Sequence, residues 1–505
     1  RQGMRFTNAY AACPVCSPTR ASIMSGKYPA TLNLTDFIPG HWRPYEKLVV
    51  PKMNLQLPLD EVSLAECVKP AGYVSGSFGK WHLGGPAFFP DKQGFDEYVV
   101  TAGRHFGFRT MPRIPVKKGE YLADFLTRRA ERFMEENRDK PFLLYLPHYA
   151  VHIPLQAKRK LVEKYRKKGA RPEFQPKVAV TVRWKASVKN SDIARTPPII
   201  IKTIRENPVG KRIQDVKKAV VERDAIRLDF TFESGVNTAK LQERAVDWEK
   251  KIAAAVPAGF RVKVHLSPVN HPTYAAMVEH IDQSLGRIMK KLDELKLADN
   301  TVLVFFSDNG GLYRRFDEKG TAVMSNHPLR DEKGSVYEGG IREPCIIRWP
   351  GVIKPGSECS TPISSVDFWP TIAEIAGTSK RFKHRVDGVS LLPLLKQTGS
   401  LEDRALYWHY PHYHHTAPAG AIRYGDYKLI EYFEDGKLEL YNLAKDIGET
   451  RDLATSKRKL TQQLHAMLNA WRKSVGAKMP AKNPNFDPKR RHEWKRRPRP
   501  RRKKR

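Results

Sequence analysis

The sequence has few cysteines and no long apolar run. Five cysteines (Cys13, Cys16, Cys67, Cys345 and Cys359) occur in 505 residues. That number is too small for a disulfide scaffold, and an odd count leaves at least one thiol without an intramolecular partner. No run of about 18 apolar residues occurs, so we expect no transmembrane segment. No signal peptide is present either. Because residue 1 is Arg, the absence of a signal peptide says little about the compartment.

Acidic residues are scarce relative to basic ones. The chain has 89 Lys and Arg against 54 Asp and Glu, a formal net charge of +35. Residues 481–505 alone hold 13 basic and 2 acidic residues. This excess favours polyanionic partners such as sulfated glycans, nucleic acid or acidic membranes, and it indicates nothing about the fold. The length predicts two to four structural units of about 150 residues each.

Strand and helix patterns alternate along the chain, which is typical of an α/β domain. Strands are predicted at Tyr73–Phe78, Phe142–Leu146 and Val302–Phe306. The continuous apolar run of the third strand predicts that it is covered on both faces. Before it, a long amphipathic helix is predicted, with this apolar face: Tyr274, Val278, Ile281, Leu285, Ile288, Leu292 and Leu295.

Polar side chains follow each of these three strands. They are Lys80 and His82, His148 and His152, and Asp308 and Asn309. Because sites in open α/β sheets form at the carboxyl ends of the strands, we expect these groups to meet at one sheet edge.

The stretch "CPVCSPTRASIMSG" (13–26) predicts a short helix with Cys16 just ahead of its start. Pro18 suits a first helical turn, and Gly26 suits a helix end. The N-terminus of a helix stabilises an anion, so Cys16 is placed to carry a nucleophile or to bind an oxyanion. Arg20, about one turn later, offers a planar cationic group nearby.

Four segments in this order resemble the motifs of the sulfatase family: "CSPTRASIMSGKYP", "GKWHLG" (79–84), "FFSDNGG" and "EKGSVYEGGIREPCIIRWPGVIKPG". The resemblance covers most of residues 1–170 and 270–455. It points to formylglycine-dependent, arylsulfatase-like enzymes of the alkaline-phosphatase-like superfamily. It implies an α/β fold with a mixed, mostly parallel central sheet flanked by helices, and hydrolysis of sulfate esters.

The resemblance also implies roles for individual residues. A maturation enzyme would convert Cys16 to formylglycine, whose hydrated aldehyde attacks the sulfur and later expels sulfate. Arg20 and Lys80 would hold that group, and His82 would be the base for the elimination. His152 and Lys333 would neutralise the sulfate and assist the leaving oxygen. Asp308 and Asn309, beside Cys16, would bind calcium, or magnesium as the alternative, because hard oxygen ligands suit these ions.

Sequences of the sulfatase family begin with a strand that ends in an Asp-Asp pair, and this chain begins just after the position that corresponds to that strand. No Asp-Asp dipeptide occurs in it. We therefore expect that the sequence is truncated and that two of the four metal ligands are absent. Metal affinity should then be poor, which puts the activity of this chain in doubt, and the central sheet should lack one strand.

Four parts of the chain are predicted. The catalytic α/β domain comprises residues 1–170 and 269–378, and an α+β insert of unknown role comprises residues 171–268. The insert is predicted to hold strands in "KVAVTVRW", "PPIIIKTI", "AIRLDFTFE" and "FRVKVHL", and a helix capped by Asn237 or Thr238. A small antiparallel subdomain follows at 379–480, and a basic disordered tail at 481–505.

Several alternatives remain open at this stage. Cys13 and Cys16 could form a redox pair or half a zinc site, although no second Cys-x-x-C occurs; otherwise Cys13 is a bystander. The protein could be an inactive sulfatase-like polyanion-binding protein, or a phosphoester or phosphonate hydrolase of the same superfamily. The basic tail could bind nucleic acid. The substrate could be a sulfated polysaccharide or a small aryl sulfate, and the resemblance implies a periplasmic or secreted location.

Overall fold

The computed structural model divides into two compact units, which are described separately. Unit 1 comprises residues 1–156, 277–310 and 328–505, and unit 2 comprises residues 157–276 and 311–327. The structure describes residues 1–40, 43–168, 177–184, 190–206, 210–216, 220–222, 225–232, 238–257, 260–266, 271–312, 323–414, 416–491 and 493.

The strands are, in chain order, β1 (Met4–Phe6), β2 (Ala9–Tyr10), β3 (Leu48–Val49), β4 (Val74–Gly79), β5 (Glu97–Ala102), β6 (Arg109–Met111), β7 (Phe142–Tyr145), β8 (Lys177–Trp184), β9 (Ile213–Val216), β10 (Val220–Glu222), β11 (Ala225–Phe232), β12 (Phe260–Leu266), β13 (Leu303–Phe306), β14 (Cys345–Arg348), β15 (Glu358–Cys359), β16 (Ile363–Ser364), β17 (Ala405–Tyr410), β18 (Ala419–Tyr424), β19 (Tyr427–Tyr432), β20 (Leu438–Asn442) and β21 (Ala481–Lys482). The α-helices are α1 (Cys16–Ser25), α2 (Leu64–Val68), α3 (Leu122–Glu136), α4 (Arg159–Lys167), α5 (Asn190–Arg205), α6 (Thr238–Ala255), α7 (Pro272–Glu294), α8 (Glu338–Ile341), α9 (Phe368–Ile375), α10 (Leu392–Leu395) and α11 (Arg458–Ser474). None of the helices in the described residues is long and apolar enough to cross a bilayer.

Unit 1 contains mixed sheets with helices packed against them, which confirms the predicted fold class. One four-stranded sheet has the order β6-β5-β4-β7, with β4 parallel to both β5 and β7. A second has the order β13-β14-β1-β15. The prediction that Val302–Phe306 is covered on both faces is wrong: β13 is an edge strand, and its Val304 is 38% exposed.

The predicted apolar face of α7 is wrong at one position. Val278 is 48% exposed, whereas His280 and Ser284 are buried. The Ser284 hydroxyl hydrogen-bonds Thr127 at 2.6 Å and His148 at 2.9 Å, and the His280 ring stacks on Tyr121. Polar side chains enter this core because each finds a partner there.

The C-terminal part of unit 1 contains an antiparallel sheet. Strands β17 to β20 form an antiparallel sheet in sequence order, and α11 packs on it through Leu464 and Leu468. The chain remains ordered past the predicted start of the tail, because β21 pairs with β3 and Asn483 bonds the Pro44 and Glu46 carbonyls. The predicted tail boundary at Ala481 is therefore too early.

Unit 2 contains a β-α-β-β-β-α-β fold, here called the insert (residues 177–266). Its sheet has the order β10-β11-β8-β12, with β9 also paired to β11. The helices α5 and α6 cover one face over a closed apolar core that includes Val180, Phe230 and Trp248. Three of the four predicted strands form, and α6 begins at Thr238, one of the two predicted caps; Asn237 lies outside the described residues.

The segment "PPIIIKTI" is helical, and its predicted strand is wrong. It lies inside α5, where Ile200 and Ile204, four residues apart, are fully buried in the core of the insert. A short apolar run fits a strand or a buried helix equally well, and packing decides between them.

Candidate active site

Cys16 is the first residue of α1, at the end of an extended turn. Helix α1 ends at Gly26, which has a left-handed backbone (φ 69°) and donates its N–H to the Ser22 carbonyl. The Cys16 side chain is buried, and its Sγ lies 3.3 Å from His82 Nδ1. The helix N-terminus and a histidine therefore converge on this side chain.

His82 presents one particular nitrogen to Cys16. Its Nε2 lies 2.6 Å from the Ile38 carbonyl oxygen, which accepts only from a protonated nitrogen. This contact leaves Nδ1 as the acceptor that faces Sγ. The backbone of His82 is left-handed (φ 60°), a costly conformation for a non-glycine residue that is typical of functional positions.

Lys80 reaches the site from the end of β4. The preceding residue, Gly79, has φ 139°, and a Cβ there would lie 2.1 Å from the Pro147 carbonyl oxygen. Only glycine allows this close approach, and the Lys80 N–H donates to the same carbonyl at 2.8 Å. The Lys80 side chain is buried, with Nζ 5.8 Å from the centre of the Tyr149 ring.

Arg20 joins three parts of unit 1 behind Cys16. Its Nε donates to Asp308 Oδ2 at 2.8 Å, and Nη1 donates to the Lys80 carbonyl at 2.5 Å and to the Tyr145 hydroxyl at 3.3 Å. A buried guanidinium with these partners fixes the strand ends relative to α1. Tyr145 is a contact that the sequence analysis missed, because nothing in a strand pattern marks one tyrosine as the partner of an arginine.

The site is strongly electropositive around Cys16. Burial alone would raise the pKa of the Cys16 thiol, but Lys80, Lys333 and His82 outweigh it and hold that pKa well below its ordinary value. Burial lowers the pKa of the Lys80 ammonium, with Arg20 and Lys333 adding to the effect. Such a site favours an anion at residue 16 or beside it.

Asp308 and Asn309 follow β13 and face the same site. Burial would raise the pKa of the Asp308 carboxyl, but Arg20, Lys80 and Lys333 hold it far below its usual range. Asn309 Oδ1 is buried and has no hydrogen-bond partner. A buried orphan carbonyl oxygen beside an ionised carboxylate fits a hard cation such as Ca²⁺. Across the described part of the chain, no group of three or more His, Cys, Asp or Glu side chains could hold a metal ion.

His152 lies in the loop after β7 and is uncharged. Burial, Lys333 and Lys80 lower the pKa of its imidazole to about 2. Its Nδ1 lies 2.9 Å from the Ile153 carbonyl oxygen, so Nδ1 carries the hydrogen and Nε2 is free to accept. His152 is therefore a neutral group whose protonation is disfavoured by burial, Lys333 and Lys80.

Lys333 is half-buried and acts electrostatically on Cys16, Lys80, His152 and Asp308. The structure thus brings all eight predicted site residues into one region of unit 1. The segment that carries Lys333 is held to the end of β13, because the Gly310 N–H donates to the Gly340 carbonyl at 3.1 Å. A Cβ on Gly310 would lie 1.9 Å from the Gly339 carbonyl oxygen, so only glycine fits there.

A buried ionic cluster, which the sequence analysis missed, anchors the segment that carries Lys333. Lys428 on β19 is fully buried and lies 2.9 Å from Glu338 Oε1 and 2.9 Å from Glu449 Oε1. Glu449 Oε2 accepts from the Glu338 N–H at 2.7 Å. Burial would raise the pKa of the Glu338 carboxyl, but Lys428 and Arg342 lower it below its usual value. This cluster fixes α8, five residues after Lys333, to the antiparallel sheet.

Three further side chains, those of Cys13, His412 and His414, are buried in unit 1. Cys13 is buried, and burial holds the pKa of its thiol well above its usual value, as expected for a bystander. His412 and His414 are 1% and 5% exposed. His412 Nε2 lies 2.8 Å from the Thr35 hydroxyl oxygen, which is a structural contact.

His148 makes the stability of unit 1 sensitive to acid. Burial lowers the pKa of His148 from 6.5 to about 4. Below pH 6.5 the unfolded chain takes up a proton that the folded protein does not. We therefore expect this residue to cost about 1.4 kcal/mol of stability per pH unit as the pH falls from 6.5 towards 4. His148→Gln, which keeps a polar group for Ser284, should reduce this slope in urea denaturation measured between pH 7 and 4.5. An unchanged slope would contradict the assignment.

Comparison with known proteins assigns the family. The Sulfatase family profile matches residues 1–378, and the profile for the C-terminal region of N-sulphoglucosamine sulphohydrolase matches residues 326–474. A sulfatase from Formosa agariphila is 30% identical over 93% of this chain and 81% of its own length. Human N-acetylgalactosamine-6-sulfatase is 28% identical over 81% of this chain, and the match spans 62% of that protein.

Solved structures agree on the fold. The structure of Ps i-CgsB with k-i-k-neocarrahexaose matches with a TM-score of 0.63 at 24% identity, over 96% of this chain and 87% of that one. A protein in complex with its substrate D-glucosamine-2-N,6-O-disulfate matches with a TM-score of 0.61 at 21% identity, over 94% and 91%. The family profile over residues 1–378 and the relative from Formosa agariphila show that the chain belongs to the sulfatase family, the hydrolases of sulfate esters.

Proposed function

We propose that this protein hydrolyses sulfate esters with a formylglycine derived from Cys16 as the nucleophile. The observation that carries the proposal is the convergence of the α1 N-terminus, His82 Nδ1 and the lysines Lys80 and Lys333 on the Cys16 side chain. When formed, the hydrated aldehyde supplies one hydroxyl for attack on sulfur and a second whose deprotonation releases the sulfate.

The side chains around residue 16 have separate tasks in this proposal. His82 Nδ1, held as an acceptor by the Ile38 carbonyl, takes the proton from residue 16. Lys80 and Lys333 bind the sulfate oxygens and offset the charge that develops on them. Arg20 keeps Lys80 and Asp308 in place through its hydrogen bonds.

His152 donates a proton to the leaving oxygen only after the substrate has bound. Burial and the two lysines keep its imidazole neutral. A sulfate bound near the lysines would add negative charge, which would raise the pKa of His152 and let Nε2 take up a proton. A neutral imidazole before substrate binding is therefore consistent with its role as the acid.

Asp308 and Asn309 would hold a calcium ion beside residue 16. The ion would add positive charge next to the sulfate. Support comes from the unpartnered Asn309 Oδ1 and the strongly acidic Asp308.

We further propose a sulfated glycan as the substrate class. The net charge of +35 suits an anionic polymer better than a small aryl sulfate. Similar proteins include an N-acetylgalactosamine-6-sulfatase and a protein solved with a disulfated glucosamine.

The test is the release of inorganic sulfate by the full-length protein, expressed with a formylglycine-generating enzyme. We expect release from sulfated saccharides and from an aryl sulfate, with little hydrolysis of the matching aryl phosphate. Peptide mass spectrometry should show an aldehyde in place of the Cys16 thiol. Turnover of aryl esters alone would refute the glycan substrate, and a preference for phosphate would refute the sulfatase assignment.

Metal removal should inactivate the enzyme reversibly. We expect a strong chelator to lower sulfate release at least tenfold, and added Ca²⁺ to restore it, because the ion adds charge to the transition state. Asn309→Ala should raise the Ca²⁺ concentration for half-maximal thermal stabilisation by about tenfold or more. Asn300→Ala, an exposed asparagine, is the matched control. Full activity in chelator would exclude the metal.

A further inference from the structure

His105 lies in the loop between β5 and β6 and contacts the loop that carries His152. Its side chain is fully buried, and its Nε2 lies 2.8 Å from the His152 carbonyl oxygen. A carbonyl oxygen only accepts hydrogen bonds, so Nε2 carries the hydrogen and Nδ1 has the lone pair. Within the described part of the chain, Nδ1 has no hydrogen-bond partner. The directed contact of this imidazole is therefore with the backbone of a site residue.

The backbone of His105 is held on both sides. Its N–H donates to Gln156 Oε1 at 3.1 Å, and its carbonyl accepts from the N–H of Leu122, the first residue of α3, at 2.8 Å. The Gln156 carbonyl accepts in turn from the Tyr121 hydroxyl at 3.0 Å. His105 therefore connects the start of α3 to the His152 loop at two points, the carbonyl of His152 and the side chain of Gln156.

A row of packed rings leads from His105 to the site. The His105 ring stacks on Tyr121, with ring centres 5.8 Å apart, and lies 5.2 Å from the ring of Tyr149. The Tyr149 ring lies 5.0 Å from the ring of His152 and 5.8 Å from Lys80 Nζ. Because such packing is close, a change of shape at residue 105 would be transmitted to His152.

The His105 contact fixes the part of the backbone that sets the orientation of the His152 ring. His152 Nδ1 is bonded to the Ile153 carbonyl at 2.9 Å, so the direction of its Nε2 follows the backbone of residues 152–153. His105 holds the peptide group between these two residues. His105 is not itself the acid, because it has no exposed surface and burial lowers the pKa of its imidazole.

We propose that His105 is a positioning residue for proton donation to the leaving group: its Nε2–H holds the His152 carbonyl so that His152 Nε2 faces the leaving oxygen. The inference rests on the proposed function, because it concerns the step in which His152 acts as the acid. In that step the proton moves from His152 Nε2 to the ester oxygen, which keeps the electron pair of the broken S–O bond. His105 retains its own proton throughout.

The test is the dependence of the rate on the leaving group, measured with full-length matured enzyme. A nitrophenolate leaves without a proton, whereas a more basic phenolate needs one. His105→Phe keeps a ring and removes the N–H. It should lower kcat/KM about tenfold or more for 4-methoxyphenyl sulfate and by about twofold or less for 4-nitrophenyl sulfate. His105→Gln, whose amide N–H can reach the same carbonyl, should restore most of the loss.

His409→Phe is the matched control. His409 on β17 is also buried, and its Nε2 lies 3.0 Å from the Lys478 carbonyl oxygen. This variant should leave the leaving-group dependence unchanged. If His105→Phe does not fold, His105→Asn takes its place, because the shorter amide does not reach the carbonyl. Equal slowing of both esters, or no difference between His105→Gln and His105→Asn, would overturn the inference.

A spectroscopic readout separates this inference from the proposed function. In protein with isotope-labelled histidine, the ring nitrogen signals of His152 should shift in His105→Phe and stay unchanged in His409→Phe. That result in a protein that releases no sulfate would refute the proposed function and leave the positioning of His152 by His105 standing. Unchanged His152 signals in both variants would overturn the inference whatever the activity.

Discussion

Sulfate release by a Cys16→Ala variant is expected to fall at least a thousandfold, to roughly the background level. The alanine removes the only side chain that both begins α1 and faces His82 Nδ1. Lys80, Lys333 and His152 still bind the sulfate, so affinity for a sulfated ligand should change little. The measurement is sulfate release at saturating aryl sulfate, with ligand affinity determined by calorimetry.

Cys13→Ala provides the matched control, because Cys13 is equally buried and lies three residues earlier. Its Sγ lies 3.8 Å from the Thr35 carbonyl oxygen. We expect near-normal kcat and a modest loss of stability. Equal activity loss in both variants would show that the segment, and not the reacting side chain, is needed, and would end the assignment of Cys16.

Lys428→Met is expected to lower the free energy of unfolding by about 3–5 kcal/mol. Lys428 is fully buried between Glu338 and Glu449, and its removal leaves buried carboxylates with one fewer cation. Urea denaturation at pH 7 measures the loss. Because Glu338 begins α8, sulfate release should also fall, through displacement of the segment that holds Lys333.

Lys437→Met is the contrasting case, one residue before the neighbouring strand β20. Lys437 pairs with Glu439 at 2.7 Å, but its side chain is 58% exposed. An ion pair of this kind contributes at most about 1 kcal/mol. A Lys428→Met variant that is no less stable than Lys437→Met would refute the view that the buried cluster anchors α8.

The residues of the site could be predicted from the sequence because each lies in a short local motif. Cys16 and Arg20 are one helical turn apart, Lys80 and His82 follow one strand, and Asp308 and Asn309 follow another. Their convergence depends on the ends of strands meeting, which is a general property of α/β folds. The protonation states were not predictable in this way. The neutrality of His152 comes from burial and from Lys80 and Lys333, which are distant in sequence.

The sequence analysis missed features that depend on contacts between residues far apart in the sequence. The Lys428 cluster joins residues 90 and 21 positions apart, and no local pattern marks a lysine in an antiparallel strand as buried. The segment of helix α5 was misread as a strand because a short apolar run fits either structure; burial of Ile200 and Ile204 decides for the helix, although Pro197 and Pro198 lie inside it. His280 and Ser284 were left out of the α7 core because their partners lie on other elements.

The first and last strands of the insert are immediate neighbours, with Val178 opposite Leu266. The polypeptide therefore leaves the insert beside the point where it enters it, because the first and last strands pair with each other. A module whose two ends lie together can be gained, lost or exchanged in a single genetic event without a change in the chain path of the domain that carries it.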